Sequence, residues 1–197
     1  MALARACAAV TALILLSGCA TAYLDSSVAE LSPSEKVAVA HPQPVQLLFE
    51  FKTKGSFNGT ATDLLKQTVV DTVQRSGDFS QISTDPVPNG ALLHISIDNV
   101  PLSDDAFAKG FVTGFTFGLV GSTVGDGYIC TADYQAAPNA PVVTKTMRDA
   151  IYTSMGATSG PQHAEKMASP KDAAFAMTER VVSHLVNDVA NDPSLRR

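Results

Sequence analysis

Tryptophan is absent from this 197-residue sequence, cysteine occurs three times, and only 17% of the residues are charged. Basic residues are the scarcer sign, 14 against 19 acidic, for a formal net charge of −5. Binding to nucleic acid through its phosphates needs clustered Lys and Arg, so that class of function is excluded. No stretch reaches the roughly 18 apolar residues of an ordinary membrane-spanning helix. What is present is an apolar fraction of 45%, normal for a packed domain and too high for a wholly disordered chain. The length suits one domain better than two.

The amino terminus reads as an address. Met1 to Arg5 carries one positive charge, Ala6 to Leu16 is apolar apart from Thr11, and Leu16-Ser17-Gly18-Cys19 follows. A charged head, a short apolar run and small residues at a cut site make a secretory signal. The run is too short to span a bilayer, which takes about 20 residues.

Leu16 to Cys19 resembles the lipobox of bacterial lipoproteins at all four positions. The resemblance implies that residues 1–18 are removed, that the Cys19 thiol is diacylglycerated, and that its new amine is acylated, with palmitate a suitable label. The implied partner is a membrane, reached through the lipid anchor. Ala20 stands where that family places an aspartate for inner-membrane retention, which points to the outer membrane, facing the periplasm. With Cys7 removed and Cys19 acylated, Cys130 is the one free thiol. An internal disulfide and a Cys-based zinc site are both excluded.

Residues 19–44 are rich in Ala, Ser and Pro and read as a flexible tether, with a short extended piece at Val37 to Ala40. Twenty-five extended residues reach about 80 Å, far enough for a body to stand clear of the membrane. The body, residues 45–192, opens with a strand at Val45 to Phe51 and a turn at Lys54-Gly55-Ser56. A helix follows over Thr60 to Gln74, capped by Thr60, with Leu64, Leu65, Thr68, Val69, Thr72 and Val73 as its apolar stripe. Short strand Phe79 to Thr84 precedes strand Ala91 to Val100, whose Ala91, Leu93, Ile95 and Ile97 share one face. Tyr128 to Tyr134 alternates likewise and pairs as a hairpin with Val142 to Tyr152. Ser169 and Pro170 start a last helix reaching Val189, with Phe175, Val181, Val182, Leu185, Val186 and Val189 inward. The expected fold is α+β: a two-layer sandwich of about five mainly antiparallel strands with both helices on one face.

No group of residues makes an active site. His94, Ser96 and Asp98 share a strand face but stand nearly 7 Å apart in succession, where nucleophile and base need about 3 Å. Asp98, Asp104, Asp105 and Asp126 lack the alternating spacing of a calcium loop and suit solvated turns. Gly118 to Thr123 resembles a phosphate loop without its lysine. His163 and His184 have no neighbour at metal-ligand spacing, His163 in a loop and His184 on the last helix. A non-enzymatic protein is expected, with neither cofactor nor metal.

The unusual stretch is an apolar, glycine-rich insert over residues 110–125, inside an uncharged run between Lys109 and Asp126. Gly110, Gly114 and Gly118 recur every four residues, and Gly121 and Gly125 repeat that interval. On a helix these glycines share a face that permits close backbone approach, leaving Phe111, Phe115 and Phe117 for lipid or a partner. As a loop or strand pair, the same phenylalanines would fill the core. Both readings stand at this point; the one taken forward is an interaction surface.

With the lipobox, the strand-helix order and the insert between central strands, the chain resembles outer-membrane lipoproteins with a TolB amino-terminal-like domain. That group includes the curli-export pore and activators of penicillin-binding proteins. The resemblance implies binding or assembly with an envelope protein partner, or a homo-oligomer. The other function kept open is an accessory subunit for a lipid or apolar ligand in envelope transport.

Overall fold

The structure, a computed structural model, describes residues 20–88, 90–102, 123–155 and 160–192. Eight strands and two helices appear in the order β1 (Ala20–Asp25), β2 (Gln43–Thr53), β3 (Ser56–Phe57), α1 (Gly59–Ser76), β4 (Phe79–Ser83), β5 (Ala91–Pro101), β6 (Thr123–Gln135), β7 (Val142–Met155), β8 (Ala164–Lys166) and α2 (Pro170–Ala190). All eight strands form one sheet, ordered β3-β2-β5-β6-β7-β1-β8, with β4 also pairing β2. Only the β2–β4 and β2–β5 pairs are parallel. The α+β architecture with two helices is as expected, but the sheet has eight strands rather than five.

The central strands alternate as their side chains demand. Ala91, Leu93, Ile95 and Ile97 of β5 are at most 2% exposed, and Tyr128, Cys130, Ala132 and Tyr134 line the same face from β6. Val45, Leu47 and Phe51 of β2 join them. Both helices cover this face. From α1 come Leu65, Val69 and Val73; from α2 come Met177, Val181, Val182, Leu185 and Val186.

Helix α1 is capped by Asn58, whose Oδ1 accepts from Ala61 N at 3.1 Å, and not by Thr60. Asn is the stronger cap, and it moves the start two residues back. The buried stripe is Thr62, Leu65, Val69, Thr72 and Val73, while Leu64 is 48% exposed. Ser169 caps α2 through Asp172 N at 3.1 Å, with Pro170 in the first turn, as read from the sequence. Lys54 and Gly55 both have positive φ (53° and 78°), the geometry of the tight turn that matches strand twist between β2 and β3.

Residues 19–44 are not a tether throughout. Ala20 to Asp25 form β1, which pairs with both β7 and β8, burying Ala22, Leu24 and Asp25. The next residues lie across the helices. Val37 N donates to Asn187 Oδ1 at 2.9 Å, and His184 Nε2 sits 2.9 Å from the Ala29 carbonyl oxygen, both on α2. The low charge and the alternation in Thr-Ala-Tyr-Leu allow a strand here that the Ala, Ser and Pro content around it hides. The body likewise begins at Gln43 of β2 rather than at Val45.

The insert's limits also change. Thr123 to Gly125 belong to β6, so the interval-of-four helical spacing does not extend to Gly125. That glycine is needed for close approach within the sheet. A Cβ there would lie 3.1 Å from Leu102 Cδ1 and 3.3 Å from Tyr152 Cδ1. Leu102, Ala150 and Tyr152 form a second, smaller core, on the sheet face away from the helices, with Tyr23, Val100, Ile129 and Ala164 packed around it.

Candidate functional site

Cys19 and the residues singled out in the insert, Gly110, Phe111, Gly114, Phe115, Phe117 and Gly118, lie outside the described residues. Their attachment points are inside them. Ala20 opens β1 immediately after Cys19; Leu102 and Thr123 bracket the chain that carries the insert. The Leu102 amide donates to the Gly125 carbonyl at 3.0 Å, so the two ends of that segment meet.

The polar strand face holds no triad. His94 Nε2 lies 3.2 Å from Glu50 Oε1, which also accepts Lys52 Nζ at 2.6 Å. Asp98 accepts from the Gly55 amide at 3.0 Å, closing the β2–β3 turn. These are partly exposed contacts on a wetted face, one within β2, one across to β5 and one to the turn. His163, with φ of 65°, accepts from Ser26 N at its carbonyl, and His184 meets Ala29. Asp104 and Asp105 fall outside the described residues. Among the described residues no three His, Cys, Asp or Glu side chains are grouped to hold a metal.

A polar cluster that the sequence reading missed lies at the junction of β1, β7 and α2. Asp149 is fully buried and takes Arg180 Nη2 at 2.6 and 2.7 Å, Nε at 3.0 Å, and the Ala150 amide at 2.7 Å. Burial pushes the Asp149 carboxyl up to about 6, against the opposing pull of Arg180. Nearby Asp25 accepts Tyr152 Oη at 3.0 Å, Ser27 N at 2.7 Å and the Ser27 hydroxyl. Burial, then the Asp25 charge, push the Tyr152 phenol well above its usual range. Among the described residues no buried side-chain nitrogen or oxygen lacks a hydrogen-bond partner. The cluster ties β1 and α2 to β7. Its signal in sequence is weak, because Asp149 and Arg180, 31 residues apart, are two charges among several in elements that also carry Lys145, Arg148, Lys171, Asp172, Glu179 and Asp188.

Cys130 is fully buried, and desolvation pushes its thiol well above the ordinary range. That favours the neutral, inert form. Between α1, α2 and the segment before β2 lies a cleft of about 40 Å³ bordered by Lys36, Arg75, Asp78, Ser183 and Asn187. Burial raises the Asp78 carboxyl, opposed by Ser76 and Lys36.

No protein-family model and no curated protein matches this chain. Solved structures with a similar course include the PelC dodecamer from Paraburkholderia phytofirmans, 12% identical over 88% of this chain and 99% of that one, with a TM-score of 0.35. Lipoprotein GNA1162 from Neisseria meningitidis is 10% identical over 77% of this chain and 100% of its own, at 0.35. A minor lipoprotein from Acinetobacter baumannii is 12% identical over 78% and 90%, at 0.31.

Proposed function

We propose that this chain is a non-enzymatic lipoprotein of the cell envelope, anchored in the outer membrane through acylated Cys19 and acting by assembly with another envelope component or with its own copies. The observation that carries the reading is Leu16-Ser17-Gly18-Cys19 at the end of the apolar run. A diacylglycerol on the thiol and an acyl chain on the amine exceed the two signals that stable anchoring takes, at about 0.8 kcal/mol per buried methylene. The protein is then attached to the bilayer without spanning it. No described helix is long and apolar enough to cross a membrane.

The surface for assembly is the insert. Phe111, Phe115 and Phe117 supply apolar area of the kind that marks a partner site when exposed, and Gly110, Gly114 and Gly118 allow two backbones to approach. The cleft beside Asp78, at about 40 Å³, is too small for an acyl chain and does not favour the transport reading.

The test is affinity purification from detergent-solubilised envelopes, scored for proteins and for lipids, with wild type beside the pair Gly114→Leu and Gly118→Leu. A stoichiometric protein partner or oligomer that the paired change removes supports the reading. Recovery of a bound lipid and no protein would replace it with the transport reading.

A further inference from the structure

Ala20, the first residue of β1, pairs with Met155 at the end of β7, and Thr123, the first of β6, pairs with Ser154. The three strands therefore meet at one end of the sheet, with β7 in the middle. One row inward, Val124 and Ala22 flank Thr153; the next row is Asp126, Ile151 and Leu24. Leu24 and Ile151 face the helices in the main core. Alternation then puts Val124, Met155 and Ala20 on that same face, one and two rows beyond Ile151. Ala22, in the row of Val124, is still buried, but Val124 is 61% and Met155 59% exposed, and Ala20 is exposed as well.

This end projects beyond β2 and, by fewer rows, beyond β5, whose Pro101 stands level with Asp126, and β8, whose Lys166 stands level with Tyr23. The last residue of β2, Thr53, stands level with Asn99, Tyr128 and Asp149. From Asp149 to Met155 β7 runs on for about 20 Å at roughly 3.3 Å per residue. No charged side chain occurs in β1, β6 or β7 beyond the row of Asp126, Ile151 and Leu24. Cys19 is one peptide bond from Ala20, and successive Cα atoms lie about 3.8 Å apart. Acyl chains on Cys19 leave directly from a paired strand.

We propose that this projecting end is a bilayer-docking surface. Ala20, Val124 and Met155 rest at the headgroup level, the strands point toward the membrane, and the β6–β7 turn points away from it. The inference rests on the acylation of Cys19 proposed above. It commits to lipid as the occupant because the anchor and the exposed apolar side chains leave from the same paired rows. A bilayer that holds the acyl chains is already beside Met155 and, at two strand spacings of about 4.8 Å, roughly 10–15 Å from Val124. Exposed Lys166 of β8, paired with Tyr23, flanks this tip, and exposed apolar side chains beside a basic residue gain from sinking to the boundary of headgroups and acyl chains.

The absence of tryptophan makes the test clean. Acylated full-length protein with Val124→Trp, Met155→Trp or Val142→Trp is reconstituted into vesicles of phosphatidylethanolamine and phosphatidylglycerol, with or without phosphatidylcholine brominated on its acyl chains. Val142 is 56% exposed and lies at the far end of β7, about 40 Å away along the strand. Bromine should quench the Val124→Trp and Met155→Trp emission roughly twofold or more and leave Val142→Trp unchanged. Two sites at the tip guard against one that fails to fold, with thermal midpoints checking each. If the acylated, vesicle-bound protein shows no quenching at the tip, or equal quenching at both ends, the docking surface is wrong although the anchor stands. If the mass of the protein shows no acyl chains and it does not float with vesicles, the anchor is wrong and the docking surface falls with it.

Discussion

Arg180→Met removes the partner of a carboxylate that has no exposed surface, so its effect is large and depends on pH. Asp149 loses three contacts of 2.6 to 3.0 Å and keeps only the Ala150 amide. Breaking a buried pair from one side typically costs about 3–5 kcal/mol. For a domain of this size that lowers the thermal midpoint by roughly 10 °C at pH 8. The sign of the pH dependence follows from burial. Asp149 titrates near 6 in the fold, above the 3.8 of an exposed aspartate, so the folded state holds the proton more tightly. Its contribution to stability is greatest below about pH 4 and is lost as pH rises to about 6 and above. Removing Arg180 lifts that carboxyl further, so at pH 5 the variant can protonate Asp149 and recover part of the loss. Replacing both partners, Asp149→Leu with Arg180→Met, should bring stability back to within about 1 kcal/mol of wild type at pH 8. Denaturant unfolding at pH 5 and pH 8 measures each term. A single-variant loss below about 1 kcal/mol, or one equal at both pH values, would refute the reasoning.

Cys130 should react with maleimide only after denaturation, because it is fully buried and its thiolate is disfavoured; fast labelling of native protein would contradict this. Gly125→Ala places a methyl against Leu102 and Tyr152 and should destabilise by about 1–3 kcal/mol in urea unfolding, with partial rescue by Leu102→Ala. An unchanged midpoint would mean that the second core yields freely. Gly114→Leu with Gly118→Leu should abolish assembly while leaving the thermal midpoint nearly unchanged. Unfolding, as overpacking by about 1–3 kcal/mol per site would cause, would make the insert structural.

The parts of the fold legible in sequence were those with strict periodicity. Ala91 to Ile97 and Tyr128 to Tyr134 alternate cleanly, and both lie where alternation puts them. The final helix carried its own start signal in Ser169-Pro170. What stayed hidden depends on pairing between distant segments. β1 is six residues long and becomes a strand because β7 runs past Ile151 and offers it a ladder, which no local signal announces. Composition pointed instead to a tether. Strands β3 and β8 have two and three residues, below the length at which a pattern exists. The Asp149–Arg180 pair was illegible for a similar reason. Neither charge carries a local sign of burial, and only docking of α2 on β7 turns both inward. At the proposed site, the Leu16 to Cys19 motif is a local signal that needs no pairing to be read. The tip of Ala20, Val124 and Met155 emerges only from the strand register.

Intact-mass and peptide mass spectrometry of the protein extracted from envelopes decides whether Cys19 carries the anchor. The expected result is a mature chain whose first residue is Cys19, carrying a thioether-linked diacylglycerol and an acylated amine, with palmitate label lost in Cys19→Ala. An unmodified Cys19, or equal label and equal membrane retention in wild type and Cys19→Ala, would contradict it.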